Sequence, residues 1–179
     1  MNPFTSSSDD SPSTTASDHF DDPGSYAPAH LPEPGPTLEG HQILTGEDHV
    51  AVHARVEAAF EACGVYDVTF GYNLAQLNRD RRHPDAGFRY ATDRDDPSVL
   101  RVEFTPTVTF CPQGEALSIG AYRALVRERD RFVRAPLDYD TVRVRIARHH
   151  GAEAVNERLR ALEAVVDDAG SLPDPNSFG

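Results

Sequence analysis

Residues 99–112 read VLRVEFTPTVTFCP. Leu100, Val102 and Phe104 fall on one side of an alternating run, and Arg101, Glu103 and Thr105 on the other. That period marks a half-buried strand. Pro106 has no N–H to give to a ladder, so regular pairing is expected to loosen there. Cys111 and Pro112 follow. Leu117, Ala121, Ala124 and Leu125 then recur on one helical face, with Arg123, Arg127 and Glu128 largely outside it. Pro112 suits the first position of that helix, where a missing N–H costs nothing.

Working outward, Val142, Val144 and Ile146 alternate with Arg143 and Arg145 in a further strand. A last helix carries Ala152, Val155, Leu159, Leu162 and Val166 on one stripe. Upstream, Thr45 and Asp48 give a helix-start signal. Val52, Val56, Ala59, Phe60 and Cys63 share one face of the helix that follows, and Gly64 suits its stop. Short strands and turns are expected between 65 and 92. The order α-β-β-α-β-α predicts a two-layer α/β (α+β) domain, a small mixed sheet with helices packed on it, over residues 43–170. Residues 1–40, rich in Ser, Asp, Pro and Thr, read as a disordered acidic tail, either a docking arm or a solubilising extension. Residues 171–179 read as a flexible C-terminal tail.

The 179 residues carry a net charge of −12, and all 17 basic residues are arginine. Such a chain repels nucleic-acid phosphates and anionic membrane surfaces. The charge also matches a halophilic-type composition, in which hydrated carboxylates keep proteins apart in concentrated salt. Mean hydropathy is −0.51, and no stretch approaches the roughly 20 apolar residues of a membrane span. The N-terminus has neither a basic residue nor an apolar run, which excludes an ordinary secretory signal and points to the cytoplasm. Two cysteines, Cys63 and Cys111, are too few for a disulfide scaffold and read as free thiols or metal ligands.

Cys111 lies between a strand and a helix. At a helix start a thiolate is favoured, and a thiolate is both a nucleophile and a soft ligand for zinc or an iron–sulfur cluster. The other reading of Cys111 is a small buried hydrophobe. His49 and His53, four apart on a helix, can pair on a metal but read as solvent-facing.

The run from Val102 to Gly120, VEFTPTVTFCPQGEALSIG, resembles the MIP18-like (DUF59) motif, in which F-T-P-T leads through a loop to a cysteine and a helix. Residues 148–159, RHHGAEAVNERL, are similar to that family's histidine turn into an A-V-N-x-x-L helix. The resemblance covers residues 99–166. It implies an iron–sulfur assembly, carrier or targeting factor, not an enzyme, that delivers a cluster, bound even if transiently, through Cys111. Its partners would be client apo-proteins and other iron–sulfur assembly factors. Thr105 and Thr107 match the family's threonines and would donate to a cluster sulfide or thiolate, or else serve as strand-end residues. His149 matches its histidine, as a ligand or a helix-start contact. The family's acidic D-P-E loop is replaced here by Ala62-Cys63-Gly64-Val65. Cys63 is then either a second thiolate near Cys111, which would let a homodimer bridge one cluster, or a core residue. Two alternatives stand beside this reading: a thiol-redox protein using Cys111 and Cys63, and a metal-free adaptor for client proteins.

Overall fold

A computed structural model describes residues 19–134 and 137–174. Its elements in chain order are β1 (Gln42–Ile43), α1 (Gly46–Cys63), β2 (Tyr66–Asp67), β3 (Tyr72–Asn73), a 3-10 segment (Leu74–Arg79), β4 (Gly87–Thr92), β5 (Val99–Thr105), α2 (Gly114–Arg127), a single turn α3 (Asp130–Val133), β6 (Thr141–Ile146) and α4 (Ala152–Ala169). The mixed sheet has the order β1-β4-β5-β6, and β2 and β3 form a separate hairpin. Both β1 and β5 pair antiparallel with β4, while β6 pairs parallel with β5. A parallel neighbour needs a long crossover, and α2 and α3 supply it. The expected two-layer α+β arrangement is what the chain adopts.

The alternation in β5 sorts the sheet's two faces. Phe88, Tyr90, Val102, Phe104, Val144 and Ile146 meet across the strands and pack with Val56 and Phe60 of α1 and Leu117, Ala121 and Leu125 of α2 in one core. The rings of Phe60 and Phe88 meet edge to face at 5.4 Å. The other face is polar yet covered. Glu103 is 1 % exposed and Thr105 is buried, where the sequence pattern alone places both in solvent.

The cover is a strap of residues 19–41, most of which was expected to belong to a disordered tail. Its scattered apolar residues are anchors: Leu31 and Leu38 are buried. Glu103 accepts from the Gly35 N–H at 2.5 Å, the Thr37 N–H at 3.1 Å and the Thr37 hydroxyl. Arg89 donates to the Pro32 carbonyl at 3.0 Å. Buried polar groups are stable only when paired, and the strap supplies the partners. Residues 1–18 of the expected tail lie outside the described residues. At the other end, residues 171–174 do not hang free, since Leu172 packs against the core; residues 175–179 lie outside the described residues.

The open edge of β6 is closed by side chains of α4. Asn156 accepts from the Ile146 N–H at 2.8 Å and donates to the Ile146 carbonyl at 3.0 Å. Glu163 accepts from the Val144 N–H and pairs with Arg145 at 2.5 Å. A capped edge cannot recruit a foreign strand.

Candidate functional groove between α1 and α2

Helix α1 ends as its sequence predicts. Gly64 adopts φ 68° and its N–H returns to the Phe60 carbonyl, a left-handed stop that suits a residue without Cβ. Cys63 is the last helical residue, half-buried at the core margin.

Helix α2 starts later than its sequence predicts. Gln113 is its N-cap and Gly114 its first residue, so Pro112 precedes the helix rather than occupying its first position. Cys111 sits on a turn outside it. Its N–H donates to the Val108 carbonyl at 3.2 Å, and its own carbonyl accepts from the Gly114 N–H at 3.2 Å. Two consecutive turns take up the residues that the motif assigns to the helix start.

Two histidines staple this turn to the β6–α4 connection. His149 Nε2 donates to the Cys111 carbonyl at 2.8 Å, and its Nδ1 accepts from the Gly151 N–H at 3.1 Å. Both of its nitrogens are thus engaged by backbone, the helix-start contact rather than a free ligand atom. His150 donates through its backbone N–H to the Thr109 carbonyl at 3.0 Å and stacks on Phe110 at 4.9 Å. Gly114 makes the approach possible: a Cβ there would lie 2.8 Å from His149 Nε2. Thr105 Oγ1 has no partner among the described residues, and Thr107 is half-buried on the turn.

Both cysteines are free thiols. Among the described residues no group of three or more His, Cys, Asp or Glu side chains is arranged to hold a metal ion. With two cysteines, one copy of the chain cannot supply the four thiolates of an ordinary iron–sulfur site.

What the α1 end and α2 do form is an open groove of about 560 Å³. Cys63, Val65 and Val68 line one wall, and Ala116, Leu117, Gly120 and Ala124 of α2 the other. Gln113 marks one end, so the Cys111 turn leads up to the groove without lining it. Val68 is 76 % exposed, and Phe110 on the neighbouring turn is 73 % exposed. Arg123 and Arg127 project along the α2 wall. Neither makes an ion pair or hydrogen bond with a described residue, which stands out in a chain of net charge −12. The Tyr66 hydroxyl, also on the lining, donates to Glu61 at 2.6 Å. That bond holds the Glu61 carboxyl below its ordinary range.

The sequence pattern held part of this site. It put Cys63 at the helix end and the arginines outside the buried stripe of α2. It did not show that the outer face of α2 meets the β2–β3 hairpin, because no periodicity links residues 66–68 to 116–127.

Among known families, the chain matches Domain of unknown function (DUF7998) over residues 18–173. It belongs to the DUF7998 family. The resemblance to the MIP18-like (DUF59) family is thereby overturned. Its two short motifs sit where a strand runs into a turn and a turn into a helix, and Pro, Thr, Gly and an alanine-rich first turn serve those transitions in unrelated chains. The DUF7998 match takes in the strap as well as the sheet, so the family unit is longer than the 43–170 domain expected from sequence. Neither the curated proteins nor the solved structures provide a match.

Proposed function

We propose that this DUF7998 protein is an adaptor, a binding module whose groove between α1 and α2 takes an apolar segment of a partner polypeptide that carries a carboxylate. One observation carries the reading: an open apolar groove of ligand-site size is overlooked by two arginines with no partner among the described residues. Apolar surface supplies affinity for a side chain such as Leu or Phe. An unpaired guanidinium supplies orientation, because its planar fork matches a carboxylate. Arginine and exposed aromatic or aliphatic groups beside one another are the composition of interface centres. The iron–sulfur reading has lost the resemblance on which it stood. No helix among the described residues is long and apolar enough to cross a membrane, and the groove, facing outward, suits a partner in the aqueous phase.

The test is fluorescence anisotropy with a labelled amphipathic peptide of Leu and Phe bearing Glu at one end, against the same peptide bearing Lys. The acidic peptide is expected to bind, and the double variant Arg123→Glu, Arg127→Glu to weaken it at least about tenfold, roughly 1.4 kcal/mol. Cys111→Ser is expected to leave binding unchanged. Equal binding of both peptides, or binding that depends on Cys111 and not on the arginines, overturns the reading. Binding of decanoate with neither peptide would make the groove a small-molecule site instead.

A further inference from the structure

A second cavity, of about 140 Å³, lies on another flank of α1, along its first three turns, between the strap, α1 and the 3-10 segment. Its polar lining includes His49, His53 and Glu57 from successive turns of α1, Arg79 from the 3-10 segment and Asp21 from the strap. The two imidazoles lie stacked, with centroids 5.8 Å apart and planes 10° from parallel. His49, expected in solvent, is 2 % exposed. Its Nδ1 has no partner among the described residues, nor has Nε2 of His53, nor Nε of Arg79. The three unpartnered atoms belong to side chains that line this one small cavity, and a buried polar group left unpaired costs about 1–3 kcal/mol.

The surrounding charges define what would fit. On the strap, Asp21 is matched by His30 at 2.6 Å, and the Tyr26 ring closes over His49 at 5.3 Å. On α1, Glu57 is matched by Arg79 at 3.2 Å. From β4, Arg89 acts on His49 without an ion pair of its own among the described residues. Arg81 Nε also lies 3.9 Å from Asp21, so three guanidinium groups, Arg79, Arg81 and Arg89, stand around the site against two carboxylates, Asp21 and Glu57, and the balance is positive. Tyr90, also on β4, lies 2.6 Å from His53 Nδ1. Burial pushes the Tyr90 hydroxyl well above its ordinary range, so it stays protonated. In the tautomer in which it donates to Nδ1, neutral His53 carries its hydrogen on Nε2, which has no partner among the described residues.

We propose that this cavity binds a small oxyanion, a short carboxylate or an inorganic oxyanion, through His53 Nε2–H, Arg79 Nε–H and His49. At roughly 30 Å³ per water the space suits one such ion or about five waters. A cation would meet the excess of guanidinium charge. Without the anion both imidazoles are neutral. His49 is held down to about 3 by burial, then by His53 and Arg89. His53 is held down to about 4, by burial first, with the Ala75 backbone opposing from beyond hydrogen-bond geometry and Arg79 reinforcing. A bound anion stabilises an imidazolium, so binding takes up a proton.

The experiment is an NMR titration of the His49 and His53 imidazoles in the full chain with sulfate and, separately, formate, at constant ionic strength held with chloride. His49→Gln and His53→Gln assign the signals. The two rings are expected to shift saturably, with one protonation shared between them. Sulfate affinity should rise about tenfold per pH unit between roughly pH 7 and pH 5, for one coupled proton. Arg79→Lys, which keeps the charge and removes Nε, should weaken binding. Rings that do not respond, or respond alike to chloride, overturn the proposal. A response to zinc alone overturns it in favour of a metal site.

Discussion

The two flanks of α1 meet opposite surroundings. Along its first three turns, His49 and His53 are sealed under a strap that arrives from residues 19–41. At its last turn, Cys63 opens on a groove with half-exposed and exposed walls. Residue type alone suggests the reverse, with histidines in water and cysteine in the core. What differs is not the helix but the segment laid against it. The strap brings its own hydrogen bonds and leaves His49 buried and His53 half-buried, whereas the β2–β3 hairpin is two residues a strand and stops short of covering α2. The sealed flank is where charge state governs stability, and the open flank is where surface governs binding.

The largest expected effect is acid lability of the sealed flank. Both histidines are neutral in the fold, with values near 3 and 4, while in the unfolded chain they take up protons below about pH 6.5. Stability is therefore full above about pH 6.5 and falls as pH drops towards 4. Each histidine contributes up to about 1.4 kcal/mol per pH unit. Urea unfolding at pH 7, 5.5 and 4.5 measures this, and the double variant His49→Gln, His53→Gln should flatten the profile. A flat profile in the unaltered protein would remove the contrast between the flanks.

Next in size is the strap's anchor. Glu103→Ala should cost about 3 kcal/mol, since the Gly35 and Thr37 donors lose their buried acceptor. It should also steepen proteolysis within residues 19–41 while sparing α2, as limited digestion would show. Equal protection of the strap in the variant would mean that Leu31 and Leu38 hold it without Glu103.

The smallest effect belongs to the open flank. A Cβ at Gly120 meets nothing within 4 Å, so Gly120→Leu should change stability by no more than about 0.5 kcal/mol. The same change fills the groove and should abolish binding of the acidic probe peptide. A loss of several kcal/mol in thermal unfolding would show that the groove is part of the packed core after all.

Much of the architecture was legible in local pattern. The alternation from Val99 to Thr105 and from Thr141 to Ile146, the apolar stripes of α1, α2 and α4 and the stop at Gly64 each depend on neighbours within a turn or two. Helix α2 starts two residues after the position its sequence suggests, because Pro112 satisfies a helix start and equally a turn before one. The strap read as a tail because a Pro- and Asp-rich segment has too few apolar residues to fold alone. It needs few when the sheet already offers Glu103, Arg89 and pockets for Leu31 and Leu38. The MIP18-like reading failed where short motifs were asked to name a family that the whole length contradicts.

By itself, then, the sequence determined the helices, the strands and the order that makes a two-layer α+β domain, since hydrophobic periodicity is a property of residues close along the chain. Only the tertiary structure decided that Glu103 is buried, that His49 and His53 share a sealed cavity and that Arg123 and Arg127 stand over a groove with Cys63. Each of those depends on a segment tens of residues away. Burial and the pairing of polar groups are set by what covers a surface, and a pattern along one element cannot say what will cover it.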